Sequence, residues 1–210
     1  MKVKYPRTPH LPWSPGKTND DKVLQDINCF FNKNIVVLEK MDGENTTMTS
    51  DSIYARSLDS ADHPSRHWVK GLWGNIKYDI PQGWRICGEN LYAKHSIGYD
   101  DLESYFEVFS IWNENNICLN WRETIEWCNL LGLKTVPMIA GIQFSPITLK
   151  EFSKEYNTSI KEGYVIRNKE SFHFDKFSEN VAKWVRSNHV ITDDHWMQQK
   201  IIPNQLKTKI

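Results

Sequence analysis

Five groups of residues along this chain carry side chains able to do covalent or phosphate chemistry. Lys40 stands two residues before the Asp42-Gly43 pair, Arg56 closes Tyr54-Ala-Arg56, Glu89 follows Gly88, and Glu162 precedes Gly163. Lys183 and Arg186 share the segment Val181-Ala-Lys183-Trp-Val-Arg186. A lysine amine is a nucleophile only when neutral, and at an ordinary pKa of about 10.4 it is almost fully protonated near pH 7. Desolvation and nearby positive charge lower such a pKa, and Arg56, Lys183 and Arg186 are sources of that charge. Brought beside Lys40, Glu89 and Glu162 would act the other way, because neighbouring carboxylates stabilise its ammonium form. A divalent cation set against them would restore nucleophilicity, so a single site built from these residues would call for magnesium.

Each of these residues has an unreactive reading when taken alone. A lone lysine beside Asp-Gly is a solvated hairpin residue. Glu89 reads as a strand-end carboxylate, Glu162-Gly163 as an ordinary turn, and Phe109 as a core aromatic. Histidines at positions 63 and 67, and at 189 and 195 near Asp193 and Asp194, show no zinc spacing with cysteine and read as structural or surface groups.

The elements that must hold these residues are legible from periodicity. Four prolines between Pro6 and Pro15 make the first twenty residues an irregular lead-in or arm; its Thr8–Trp13 stretch is a candidate to line a nucleotide cleft, and His10 to touch phosphate. Val23, Leu24, Ile27, Phe30 and Phe31 recur at helical spacing and predict an amphipathic helix over 21–32. Ile35–Leu38, Thr46–Thr49 and Ile53–Arg56, separated by Asp42-Gly43 and Asp51-Ser52, predict an antiparallel meander with Lys40 at its first bend. Trp68, Leu72, Trp73 and Ile76 predict a helix stopping before Pro81. Trp84–Glu89 and Tyr105–Phe109 read as buried strands. Asn120 and Glu123 form a capping box opening a helix that ends at Gly132. Ser145-Pro146 opens another helix to about Tyr156. Gly163–Arg167 and Phe172–Phe174 predict a hairpin. The sum is an α+β chain, with antiparallel sheets flanked by helices.

Composition bounds the setting. The 210 residues, 40% of them hydrophobic, suffice for one domain with a full core. Lys plus Arg and Asp plus Glu each number 26, so nucleic acid would have to be met by a local patch. Four cysteines without a Cys-x-x-Cys pair and no apolar leader point to a reducing, cytoplasmic setting with thiols as packing groups. No apolar run nears the roughly 20 residues that span a bilayer. The tail over 197–210 is polar and is expected on the surface.

The ordered segments resemble the motifs of the covalent nucleotidyltransferases, the superfamily of DNA ligases, RNA ligases and mRNA capping enzymes. Glu39-Lys40-Met-Asp42-Gly43-Glu-Asn45 is similar to motif I, and Tyr54-Ala-Arg56-Ser57 to the arginine-bearing motif. Gly88-Glu89-Asn-Leu-Tyr92 resembles motif III, Phe106–Phe109 the aromatic strand that follows, and Lys161-Glu162-Gly163-Tyr-Val-Ile-Arg167 motif IV. Val181–Arg186 resembles motif V with its second basic residue one place late. Motifs I and III look most like those of RNA ligases.

The resemblance implies a nucleotidyltransferase (ATP-grasp-like) domain with its nucleotide cleft between the sheets, using ATP and Mg²⁺ or Mn²⁺. Lys40 would carry AMP as a phosphoramidate. Catalytic roles fall to Lys40, Lys183, Glu89 and Glu162. Nucleotide contacts fall to Glu39, Lys40, Asn45, Arg56, Glu89, Phe109 (on the adenine), Glu162, Lys183 and Arg186. Asp42, Glu89 and Glu162 would bear on the metal through water. Strand alternation sets Lys183 and Arg186 on opposite faces, leaving Lys176 as a substitute for Arg186. The partners implied are ATP and RNA, as a nicked duplex or RNA/DNA hybrid among other forms, with substrate delivered by the domain's own surface or a partner protein, and no membrane. The chain stops soon after motif V, so no appended OB-fold is expected. A non-sealing nucleotide- or RNA-end-binding module, a DNA ligase and a capping-type guanylyltransferase stand as alternatives.

Overall fold

Runs of β-branched and aliphatic residues bounded by Asn, Gly and Pro set the strands. The computed structural model describes residues 2–156, 160–187 and 200–208. In chain order the elements are β1 (Asn34–Lys40), β2 (Glu44–Met48), β3 (Ile53–Ala55), α1 (His67–Ile76), β4 (Arg85–Asn90), β5 (Phe106–Trp112), β6 (Ile117–Cys118) and α2 (Trp121–Leu130). Then come β7 (Lys134–Thr135), β8 (Met138–Gln143), α3 (Pro146–Glu155), β9 (Gly163–Asn168), β10 (Phe172–His173) and β11 (Val181–Val185). They build a four-stranded sheet, ordered β11-β9-β1-β8, and a seven-stranded sheet, ordered β10-β6-β5-β4-β2-β3 with β7 on β5. The β5–β7 pair is parallel and the other pairs are antiparallel. This is the α+β architecture expected from the sequence.

Alternation along the strands decides which faces carry helices. Ile35 and Val37 of β1 join Tyr164, Ile166, Ala182 and Trp184 in a core closed by Leu149 of α3. Val36 and Leu38 point the opposite way, toward Met41, Leu91 and Val136. On the larger sheet, Met48, Ile86, Val108 and Ile111 bury against Val69 and Ile76 of α1 and Cys128 of α2. Each such fully buried aliphatic contributes about 1.5–3 kcal/mol. The helices thus cover the outer faces, and the uncovered faces look at each other. Capping fixes the helix starts: Asn120 and Glu123 make the expected reciprocal box at α2, and Ser145 caps α3. Among the described residues no helix is long and apolar enough to cross a membrane.

Three expectations are corrected. The helix over 21–32 shrinks to a 3-10 turn at Ile27–Phe30, because the Asp26 side chain caps Asn28 N and Asn32 takes φ 63°. The backbone ahead of it is used elsewhere, with Leu24 N donating to His10 O at 2.8 Å. The stretch from 35 to 56 is not one meander: β2 pairs with β3 and β4, whereas β1 pairs with β8 and β9. Asp42-Gly43 is therefore a crossing between sheets, and a Cβ on Gly43 would stand 2.5 Å from Asn90 O. The hairpin over 163–174 is absent, since β9 pairs with β1 and β11 while β10 pairs with β6. Residues 200–208 of the polar tail are mostly exposed, while Asn204 among them is 4% exposed and bonded into the loop after β4.

Candidate active site

Where the chain leaves β1 for β2, the two uncovered sheet faces enclose a cavity of about 370 Å³. Leu38, Glu39, Lys40, Val165, Val181 and Lys183 line it from the smaller sheet, and Asn45, Glu89, Phe109, Ser110 and Phe172 from the larger. Its size is within the range of small-molecule sites.

Lys40 ends β1 on the same side as Leu38, and its amine lies 2.6 Å from Glu162 Oε2. Its side chain is 23% exposed, so it reaches the cavity without standing in bulk water. Burial alone would lower its pKa, but Glu162, Glu89 and Asp42 together outweigh burial and hold it above the ordinary lysine value. Glu162 comes immediately before β9, which must come close to β11 there: a Cβ on Gly163 would stand 2.0 Å from Trp184 O. Glu89, on β4, accepts from Gly43 N at 3.2 Å. Burial pushes it up to about 8 against the pull of Lys40, with Glu162 and Asp42 adding to the rise. Asp42 is turned toward the loop after β4: its N–H donates to the Tyr99 hydroxyl at 2.8 Å and its Oδ2 accepts from Ile97 N at 2.8 Å. Glu39 accepts from Lys161 Nζ at 2.5 Å.

Cationic groups also line the cavity, from both sheets. Lys183 extends from β11 with Val181, its amine 3.9 Å from Asp21 Oδ1 and held below the ordinary value by burial and by Lys40. Its backbone is fixed on both sides, by pairing with Val165 on β9 and by exchange with the proline-rich arm, where Lys183 N donates to Pro9 O and Leu11 N to Lys183 O. Arg56 follows β3 and donates to Tyr5 O at 3.1 Å. Asn45, opposite Glu89 in register, has a buried Oδ1 without a hydrogen-bond partner among the described residues. Phe109 contributes an aromatic wall, edge-on to Tyr5 at 5.1 Å between ring centroids.

The structure thus brings Lys40, Glu39, Asn45, Arg56, Glu89, Phe109 and Lys183 to one cavity, with Glu162 and Asp42 bearing on the same amine. Arg186 is not brought there. It follows β11 on the face away from Lys183, as alternation requires, and its Nε donates to Lys161 O at 2.9 Å, bracing the turn that presents Glu162. Lys176 does not replace it, being exposed and paired with Glu179 at 2.8 Å. His10 is buried, its Nδ1 2.8 Å from Ser14 Oγ, and does not line the cavity. His63 caps a turn through Ser65, while His189 and His195 lie outside the described residues.

Sequence reasoning missed Tyr5, Pro6, Arg7, Asp21 and Arg167 as cavity residues. The arm's prolines signalled an irregular segment but gave no periodicity from which to infer what it packs against.

Among the described residues no three acidic, cysteine or histidine side chains are close enough to chelate an ion directly. Three carboxylates nevertheless bear on one amine, and Glu89 resists ionisation beside them. That surplus of negative charge fits a divalent cation held through its own waters.

Comparison with known proteins bears on the family and the fold. A family model described as RNA ligase matches residues 33–185. No curated protein matches the chain. Among solved structures, an archaeal ATP-dependent RNA ligase superposes with a TM-score of 0.56 at 17% identity, over 81% of this chain and 48% of that one. An Aquifex aeolicus protein provisionally assigned as an ATP-dependent DNA ligase gives 0.51 at 22% identity, over 74% and 44%. A variant of the Naegleria gruberi RNA ligase with ATP and Mn gives 0.51 at 14% identity, over 78% and 52%. The chain spans about half the length of these structures, and the likeness is one of fold, that of the nucleotidyltransferase-type ligases.

Proposed function

The chain belongs to the RNA ligase family, and from that premise we propose that it is an ATP-dependent RNA ligase in which Lys40 takes up AMP and passes it to a 5′-phosphate end. The observation that carries this reading is the Lys40 amine, 2.6 Å from Glu162, on the wall of a nucleotide-sized cavity that Lys183 shares from the same sheet and that Glu89 and Phe109 close from the facing one.

The first step follows from that arrangement. ATP would bind with its base against Phe109 and its α-phosphate between Lys40 and Lys183. Asn45, on the cavity wall, would contact the nucleotide through its side-chain amide. Neutral Lys40 attacks the α-phosphorus in line; the N–P bond forms as the bond to the β-phosphate oxygen breaks and pyrophosphate leaves. Lys183 and Arg56 stabilise the charge on the phosphoryl oxygens. A divalent cation, held through water by Asp42, Glu89 and Glu162, would offset the carboxylates that otherwise keep Lys40 protonated.

In the second step a 5′-phosphate oxygen displaces Lys40 from the AMP phosphorus, giving a strand capped by AMP and regenerating the amine. In the third, a 3′-hydroxyl attacks the strand's 5′-phosphorus, AMP leaves, and a phosphodiester results. All three steps depend on in-line positioning and charge stabilisation.

The test is covalent labelling with radiolabelled ATP and magnesium, followed by joining assays on 5′-phosphorylated RNA, DNA and mixed strands. Label in the wild type that is lost in Lys40→Ala, with RNA joined, is the expected result. No label in the wild type, or label that survives Lys40→Ala, overturns the reading. Label from GTP in place of ATP would mark a capping-type enzyme, and nucleotide binding without label a non-sealing module.

A further inference from the structure

Residues 200–208 lie beyond the segment matched by the family, yet they hold the loop that reaches Asp42. From Leu91 to Tyr105 the chain has neither helix nor strand beyond isolated bridges, so its backbone groups need partners from elsewhere. The segment after β11 supplies them. Lys94 N donates to Ile202 O at 2.8 Å, Gln205 N to Tyr99 O at 2.9 Å, Leu102 N to Gln205 O at 3.1 Å, and Lys207 N to Leu102 O at 2.8 Å.

Asn204 is the centre of this contact. It is 4% exposed, and all its polar groups are bonded to the loop. Its Oδ1 accepts from Tyr99 N at 2.9 Å and its Nδ2 donates to Leu91 O at 2.8 Å. Its own N–H donates to Tyr92 O at 2.9 Å, and its carbonyl accepts from the Tyr105 hydroxyl at 3.0 Å. One amide therefore spans the loop. One end of it grips Leu91, two residues beyond Glu89. The other grips Tyr99, whose hydroxyl accepts from Asp42 N at 2.8 Å, two residues beyond Lys40.

We propose that Asn204 is a positioning residue of the active site, bridging Leu91 and Tyr99 so that Glu89 and Asp42 are held at fixed places around Lys40. Asparagine fits this place because it offers a donor and an acceptor on one short, planar group. Aspartate would turn an oxygen toward the Leu91 carbonyl, and leucine would leave the Tyr99 N–H and Leu91 C=O without partners. None of these contacts touches the cavity, so the effect falls on the geometry of the chemical step rather than on nucleotide affinity.

The proposal rests on the ligase reading for its kinetic consequence, but not for its structural one. The test uses the full chain, with Asn204→Ala and Tyr99→Phe singly and together; Tyr99→Phe removes only the hydroxyl that accepts from Asp42. Without nucleotide, amide hydrogen exchange at Asp42 is expected to rise about tenfold in each single variant, the effect of losing roughly one hydrogen bond. Exchange in β1 and β9 stays unchanged. With ATP, the rate of label formation falls about tenfold at an unchanged KM, and the double variant is no slower than the slower single one, as expected for residues acting in one chain. Wild-type exchange at Asp42 in Asn204→Ala, or losses that multiply in the double variant, would overturn the proposal. If Asn204→Ala does not fold, Tyr99→Phe still decides whether the Asp42 contact governs the rate. A wild type that takes no label would sink the ligase reading instead, and the exchange data would still decide the role of Asn204.

Discussion

Replacing Glu162 with glutamine is expected to move the reactivity of Lys40 and the activity of the protein in opposite directions. Across the 2.6 Å between Lys40 Nζ and Glu162 Oε2, a full carboxylate charge is worth about 1.6 kcal/mol at the dielectric of water and about 6 kcal/mol at an effective value of 20. Glu89 is pushed up to about 8 and carries little charge at pH 7, which leaves Glu162 as the chief support of the ammonium. Burial opposes both. Losing Glu162 while keeping the burial should therefore drop the Lys40 pKa, and at about 1.4 kcal/mol per factor of ten the smaller figure already means about tenfold more neutral amine. A range of about 10- to 1,000-fold follows from the usual effect of one close opposite charge. The assay is competitive acylation of the nucleotide-free protein from pH 6 to 11, comparing the Lys40 peptide with peptides bearing exposed lysines by mass spectrometry. In the wild type Lys40 should react more slowly than an exposed lysine at pH 8. Glu162→Gln should reverse that order, and magnesium added to the wild type should move it the same way. Label formation from ATP should nonetheless fall in Glu162→Gln, because the carboxylate that bears on the cation is lost. Equal acylation profiles for wild type and variant would refute the electrostatic account of the site.

Three further outcomes follow from particular side chains. Glu107 is 4% exposed and pushed up to about 8 by burial first, then by Glu39 and Glu103. Its raised pKa means the folded state binds the proton more tightly, so its contribution to stability is complete below the unfolded value near 4.5 and is lost as pH rises through about 8. Glu107→Gln should therefore raise Tm at pH 9 by several degrees, at about 2–4 °C per kcal/mol, and do little at pH 5. The slope owed to Glu89, which has the same sign, should remain in calorimetric scans of that variant. Lys183→Ala should slow label formation about 100-fold, the usual loss for one preorganised group stabilising transition-state charge, with Tm nearly unchanged; a mild effect would put the α-phosphate elsewhere. Asn45→Ala should raise the KM for ATP about tenfold, the loss of roughly one hydrogen bond, and leave the melting temperature of the nucleotide-free protein nearly unaffected, since Asn45 Oδ1 has no hydrogen-bond partner among the described residues to lose.

The site was easier to read from the sequence than the fold around it. Lys40, Glu89 and Lys183 were picked out by the ordered segments they sit in, since each taken alone reads as an ordinary turn, strand-end or surface residue. Strands β1, β4, β5, β9 and β11 were legible from local composition, as were the caps at Asn120 and Ser145. What failed was pairing. Asp42-Gly43 has the composition of a two-residue hairpin turn, and nothing local distinguishes that from a crossing between sheets. The difference lies in Asn90 O and Glu89, nearly fifty residues on, which close around Gly43. Likewise Val23 and Leu24 have helical spacing, but the backbone groups flanking Val23, Lys22 O and Leu24 N, are taken by His10. Asn204 carried no signal at all, since a buried asparagine in a polar stretch looks like any surface residue until its partners are known.

The failure of the hairpin reading is also what makes the site possible. A lysine at the bend of a hairpin would stand at a sheet edge in water, with both its neighbours in one layer. Because β1 and β2 belong to different sheets, Lys40 ends one layer just as the chain enters the other, and it can meet Glu162 from its own sheet and Glu89 from the facing one. The crossing must be tight for both carboxylates to be in range, hence the glycine against the Asn90 carbonyl. A substitution at Gly43 should therefore act on Lys40 rather than on either core: Gly43→Ala would force Asn90 O away, open the distance between the Glu89-bearing strand and β1, and lower label formation far more than thermal stability. Should Gly43→Ala unfold the protein while the surviving folded fraction labels at the wild-type rate, the crossing would be a requirement of the fold alone and not of the chemistry at Lys40.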